Sequence, residues 1–155
     1  MNVNNIITKN ITDTVKSNGN NVMQLMDNNN CAVLALSEAF DVAYDVAHEY
    51  AQNVLHRLKR QGVVTYRIVN TFNSGVKIFN KKVTEEKVFT KYRQSNGKML
   101  ARRMRISTFI KENPKGVYYL LVKGHALVIK DGVMYDNRGF ASKFSRPIYC
   151  AWKIK

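Results

Sequence analysis

Apolar residues change their spacing along this chain, and each change marks a different kind of element. Residues 1–20 (MNVNNIITKNITDTVKSNGN) are polar and rich in Asn, and read as a loose N-terminal arm or a first edge strand. Residues 21–155 read as one domain. A short apolar stretch at 22–26 leads into a turn at 27–30. From Cys31 the run CAVLALSEAF is apolar almost all round. Such a run predicts a helix over 31–40 that is buried on several sides. Asn30 stands at its N-cap position, where a side-chain oxygen can accept from the free N–H groups of the first turn. Over 45–59, Ala47, Tyr50, Ala51, Val54, Leu55 and Leu58 recur at helical spacing, which predicts an amphipathic second helix ended by Gly62.

Between 63 and 105 the pattern blurs. Residues 63–69 are rich in β-branched side chains and read as a strand, while Ser74-Gly75 and Ser95-Asn96-Gly97 read as turns. Ser107 or Thr108 starts a short helix that ends before Pro114. Beyond it the period is two, with strands predicted over 116–123, 125–130, 133–137 and 148–154. Asp131-Gly132, set between apolar runs, is a two-residue hairpin signal. Helices followed by a β-meander predict an α+β domain, with a buried N-terminal helix carrying Cys31 packed against a C-terminal antiparallel sheet.

The hairpin fixes a register. With Asp131 and Gly132 in the turn, Lys130 pairs with Val133, Ile129 with Met134 and Leu127 with Asp136. Paired and alternate residues share a face. His125, Leu127, Ile129, Met134 and Asp136 are therefore expected on one face, with Asp136 diagonal to His125 at roughly 7–8 Å by backbone spacing. Asn137 points the other way, and a slip of one residue would exchange the two.

Composition narrows the class. The chain carries 25 Lys and Arg against 11 Asp and Glu, a formal charge of +14. That balance suits anionic partners such as nucleic acid, an acidic protein surface or lipid headgroups, and equally suits a simple soluble basic surface. Cationic residues concentrate in one stretch, and Lys81, Lys82, Lys91, Arg93, Arg102, Arg103 and Arg105 are its candidate anion-binding residues. Phe79, Phe89 and Tyr92 interleave with these cations, a pattern that allows bases to stack between phosphate contacts. No stretch is long and apolar enough to insert in a membrane. The N-terminal pattern is not that of a signal peptide, so a cytoplasmic location is expected. Two cysteines are too few for a disulfide scaffold, although the sequence leaves a Cys31–Cys150 bridge open. No metal-ligand spacing and no Gly-rich phosphate loop is present, so neither metal nor cofactor is expected.

The candidate chemistry is nucleophilic. A thiol at a helix start is activated by the helix end and by an imidazole, and a carboxylate can orient that imidazole. Cys31, His125 and Asp136 supply these groups. An oxyanion needs donors; the Cys31 backbone N–H is one, and an upstream side-chain amide would be the other. Gln24 is the best-typed residue for it, with Asn28 and Asn29 as competitors.

The segment NNNCAVLALSEAFDVAYDVAHE resembles the Cys-helix block of small papain-like proteins of tailed bacterial viruses. KENPKGVYYLLVKGHALVIKDGVMYDN resembles their His block, and the order Cys…His…Asp is that of the papain-like superfamily. The wider likeness is to bacteriocin-processing peptidases. It implies a papain-like fold, Cys31 as nucleophile, His125 as acid and base, Asp136 as the orienting residue, and a peptide or protein substrate. In those peptidases Asp precedes and Gly follows the Cys, where this chain has Asn30 and Ala32. Their oxyanion Gln stands six residues upstream, whereas Gln24 stands seven, which keeps Asn29 in play. The competing expectations are a non-catalytic papain-like viral effector and a nucleic-acid-binding protein acting through its basic surface.

Overall fold

The computed structural model describes residues 6–15, 29–137 and 143–155. Over these the chain runs β1 (Thr8–Asn10), α1 (Ile11–Thr14), α2 (Cys31–Phe40), α3 (Tyr44–Asn53), α4 (Thr65–Phe72), β2 (Val83–Glu86), β3 (Phe89–Arg93) and β4 (Met99–Arg103). It continues through α5 (Ile106–Glu112), β5 (Val117–Val122), β6 (His125–Lys130), β7 (Val133–Asp136), a 3-10 turn (Lys143–Ser145) and β8 (Cys150–Ile154). The domain is α+β, with the N-terminal helices packed against a six-stranded sheet of order β1-β7-β6-β5-β8-β2. No helix among the described residues is long and apolar enough to cross a membrane.

The sheet is mixed rather than wholly antiparallel. Thr8–Asn10 of the polar arm lies parallel to β7, with Asn10 opposite Asp136. Alternating burial sorts the central strands into two cores. Tyr119, Leu121, Ala126 and Val128 face α2, while Leu120, Leu127, Ile129 and Met134 pack with α5 through Phe109 and Ile110. Helix α2 is buried from Ala32 to Phe40, as an all-round apolar run requires. Its two buried polar side chains have partners: Ser37 Oγ donates to the Val42 carbonyl at 2.6 Å, and Glu38 takes Lys130 Nζ at 2.8 Å.

Three sequence expectations change. Residues 63–69 are not a strand. Val63, Val64, Thr65 and Val69 imitate one, but Ile68 and Phe72, four apart, bury the same side of α4. The second helix stops at Asn53 rather than near 59. His56 and Arg60 take left-handed backbone (φ 56° and 58°), and the Arg57 N–H turns back to the Ala51 carbonyl at 2.8 Å. The basic stretch, expected only to contain a turn at 95–97, forms the separate antiparallel ribbon β3–β4 around that turn. Residues 22–26 and the first half of the turn at 27–30 lie outside the described residues.

Phe72 anchors α4. Its ring meets Tyr119 and Trp152 edge-on at 5.0 Å each and Phe40 at 5.9 Å. Removing it would open a cavity beneath the cleft described below. Phe72→Ala is expected to lower the unfolding free energy by about 3–5 kcal/mol, read from urea unfolding. A loss below about 1 kcal/mol would contradict this packing.

Candidate active site

The β6–β7 hairpin has the register expected from its turn, with Val128 opposite Tyr135, Ile129 opposite Met134 and Lys130 opposite Val133. Asp131 and Gly132 both take positive φ (47° and 80°), the conformation a two-residue turn of this kind demands. His125 and Asp136 consequently share a face, and His125 Nε2 lies 2.5 Å from Asp136 Oδ1. Both side chains are 1% exposed. Asp136 Oδ1 also accepts from the Asn137 N–H at 2.7 Å. The buried carboxylate thus has a ring nitrogen and a backbone donor on one oxygen.

Alternation puts His125 on the α5 side of β6, but it is the first residue of the strand, and round that end of the sheet its ring reaches the mouth of α2. It lines a cleft of about 110 Å³ together with Cys31, Gly62, Val63, Thr65, Ile68, Leu121, Val122 and Gly124. Burial alone pulls the His125 pKa down, but hydrogen bonds to Asp136 and Cys31, and their charges, push it up to about 9. Nδ1, the nitrogen not engaged by Asp136, is buried without any other conventional hydrogen-bond partner among the described residues. The imidazole therefore sits between a carboxylate and a thiol.

Cys31 is partly exposed and opens α2. Asn30 occupies the N-cap position, but its side chain does not cap. Its Nδ2 donates instead to the Tyr44 hydroxyl at 2.9 Å, while its backbone carbonyl accepts from Leu34 N–H at 2.9 Å. Asn29 Nδ2 donates to the Arg60 carbonyl at 3.0 Å, which ties the start of α2 to the loop that forms the far wall of the cleft. That bond uses one of the two amide N–H donors of Asn29. Gln24 and Asn28 lie outside the described residues.

Two contributors escaped the sequence reading. Tyr119, wholly buried, donates its hydroxyl to the Ala32 carbonyl at 3.2 Å beneath the thiol. Burial raises its pKa well above the ordinary value, and the Cys31 charge raises it further. The Gly62–Thr65 wall was hidden by the strand reading of 63–69. The helical spacing of Ile68 and Phe72 was the signal available. Cys150 is a free thiol like Cys31, and no bridge joins them. Burial, and secondarily Glu85, push the Cys150 thiol up against an opposing effect of Arg103. Among the described residues no group of three potential metal ligands comes together.

The basic residues scatter. Lys81 Nζ donates to the Phe40 carbonyl at the end of α2, at 2.9 Å, and Lys82 pairs its backbone with Lys155. Arg103 donates to the Ile148 and Tyr149 carbonyls at 3.2 and 2.6 Å. Lys91, Arg93 and Arg102 stand on the exposed ribbon, and Arg105 precedes α5.

No protein-family model, curated protein or solved structure matches this chain.

The histidine–carboxylate pair has a consequence for stability. An unfolded histidine titrates at about 6.5. A folded value near 9 means that the pair adds stability in full below about 6.5, and that this contribution fades as pH rises through about 9. Urea midpoints measured from pH 6 to 10 should fall more steeply for the native chain than for Asp136→Asn. Parallel curves would contradict the pairing.

Proposed function

We propose that this chain is a cysteine hydrolase of papain-like arrangement, cleaving peptide, amide or isopeptide bonds through an acyl-enzyme. The observation that carries the reading is the single imidazole of His125 held by Asp136 on one side and acting on Cys31 on the other, at the edge of one cleft.

The chemistry follows from these groups. The Cys31 thiolate attacks the substrate carbonyl carbon and forms a C–S bond. His125, proton-loaded at neutral pH, gives its proton to the leaving nitrogen as the C–N bond breaks. Part of what raises the His125 pKa is its hydrogen bond to Cys31 and the charge there. Acylation removes that charge, so the pKa of the ring falls and the neutral ring persists as the base that deacylation needs. It takes a proton from water, the resulting hydroxide attacks the thioester carbonyl, the C–S bond breaks and the acid product leaves. Asp136 positions the ring and favours its charged form. The backbone N–H of Cys31, at the positive end of α2, is the oxyanion donor this chain supplies there. The side-chain donor would come from one of the upstream amides, Gln24 or Asn29.

Thiol reactivity tests the nucleophile. Intact-mass kinetics with iodoacetamide at pH 6 should show Cys31 alkylated at least about tenfold faster than Cys150, because the thiolate is the reacting form. Equal rates, with no cleavage of a peptide library by the native chain, would remove the reading. Where turnover is found, Cys31→Ala should abolish it. The alkaline limb should lie near 9 and move to lower pH in Asp136→Asn, since Asp136 is among the groups that hold the ring protonated. An unmoved limb would exclude Asp136 from that role.

A further inference from the structure

A two-stranded ribbon with no third strand gains little stability by itself, yet β3–β4 stands apart from the six-stranded sheet. Every residue of β4 is exposed, as is all of β3 except the partly buried Thr90. From Lys87 to Arg105 the chain contains no Asp or Glu. Register and alternation put Thr90, Tyr92, Leu100 and Arg102 on one face. There the Arg102 guanidinium lies over the Tyr92 ring, 5.0 Å from its centre, with Leu100 paired directly opposite Tyr92. Arg103, on the other face, is committed to the fold. It sits 5.0 Å from the Phe89 ring and 4.8 Å from Tyr149, and its two carbonyl bonds pin the ribbon to the chain entering β8. The ribbon is thus held in place while Lys91, Arg93, Lys98 and Arg102 have no carboxylate ion-pair partner among the described residues.

The geometry points to this ribbon as a binding surface for single-stranded nucleic acid. Cations on both faces and at the turn contact phosphates, and the Tyr92–Arg102 stack with Leu100 offers a flat, partly apolar platform to an unpaired base. Other occupants fit less well. A lipid surface calls for an apolar tip, but the turn here is Gln94-Ser95-Asn96-Gly97-Lys98. A second copy would set like charges against each other. An acidic protein would use the cations and leave the stacked platform unused. The assignment stands independently of the hydrolase reading, since no residue of the cleft takes part.

Fluorescence anisotropy with a labelled single-stranded oligonucleotide tests it in the full chain. The triple variant Lys91→Ala/Arg93→Ala/Arg102→Ala should weaken binding at least about tenfold and flatten the log K against log salt slope by about two. Removing the same charge elsewhere, with Lys59→Ala/Lys77→Ala/Lys155→Ala, should weaken it less than about threefold. Tyr92→Ala should cost about tenfold and Tyr92→Phe almost nothing, because stacking needs only the ring. Cys31→Ala should bind as the native chain does, whatever its activity. Melting curves verify that the ribbon variants stay folded. Equal losses in the two triples would overturn the proposal. So would binding as tight to blunt duplex, polyglutamate or anionic vesicles as to the single strand.

Discussion

An apolar helix must be covered on every side, and covering α2 is what carries the Cys31 thiol to the His125 ring. The helix packs chiefly on β6 and α3, and it meets β6 near both ends. At its start Cys31 acts on His125, the first residue of the strand. Toward its end Glu38 pairs with Lys130, the last. Helix and strand therefore run in the same direction. Seven helical residues span about 10 Å and five strand residues about 16 Å, a difference that the long Glu38 and Lys130 side chains absorb. Tyr119 adds a third tether from β5 to the first turn. The thiol is held by packing, an ion pair and a hydroxyl rather than by a loop.

The second requirement is electrostatic. Burying an imidazole opposes its charge, and burying a carboxylate opposes its own. Here each is the other's remedy, since Nε2 and Oδ1 are in direct contact and the Asn137 N–H supports the same oxygen. The pair tips the ring toward the protonated form, with a pKa of about 9. A charged imidazole beside a thiol at a helix N-terminus favours thiolate from two directions. Strand β1 helps hold the carboxylate's strand, because Asn10 lies opposite Asp136 at the sheet edge. The polar arm thus contributes to the position of a buried acid.

Much of this site was legible because it rests on strong local signals. Asp131-Gly132 can form only a narrow set of turns, and the turn dictates the register that puts His125 and Asp136 on one face. The all-round apolar run likewise demanded a buried helix starting at Cys31. What was not legible depended on tertiary context. Val63, Val64 and Thr65 have β-branched side chains that suit a strand, and only the pocket formed by Phe40, Tyr119 and Trp152 draws Phe72, and with it α4, into a helix. The ribbon β3–β4 was hidden because both its faces are exposed, so burial imposes no alternation on it. The parallel pairing of β1 was hidden because its partner lies more than a hundred residues away. Asn30 has the right chemistry for a cap, but Tyr44 competes for its side chain.

Everything at this site depends on His125 being under the joint influence of Asp136 and Cys31. NMR titration of the His125 ring measures this directly, in the native chain and in Cys31→Ala. The ring should stay protonated until about pH 9 in the native chain and titrate at a clearly lower pH without the thiol. A ring that titrates at about 6.5 in both would contradict this coupling.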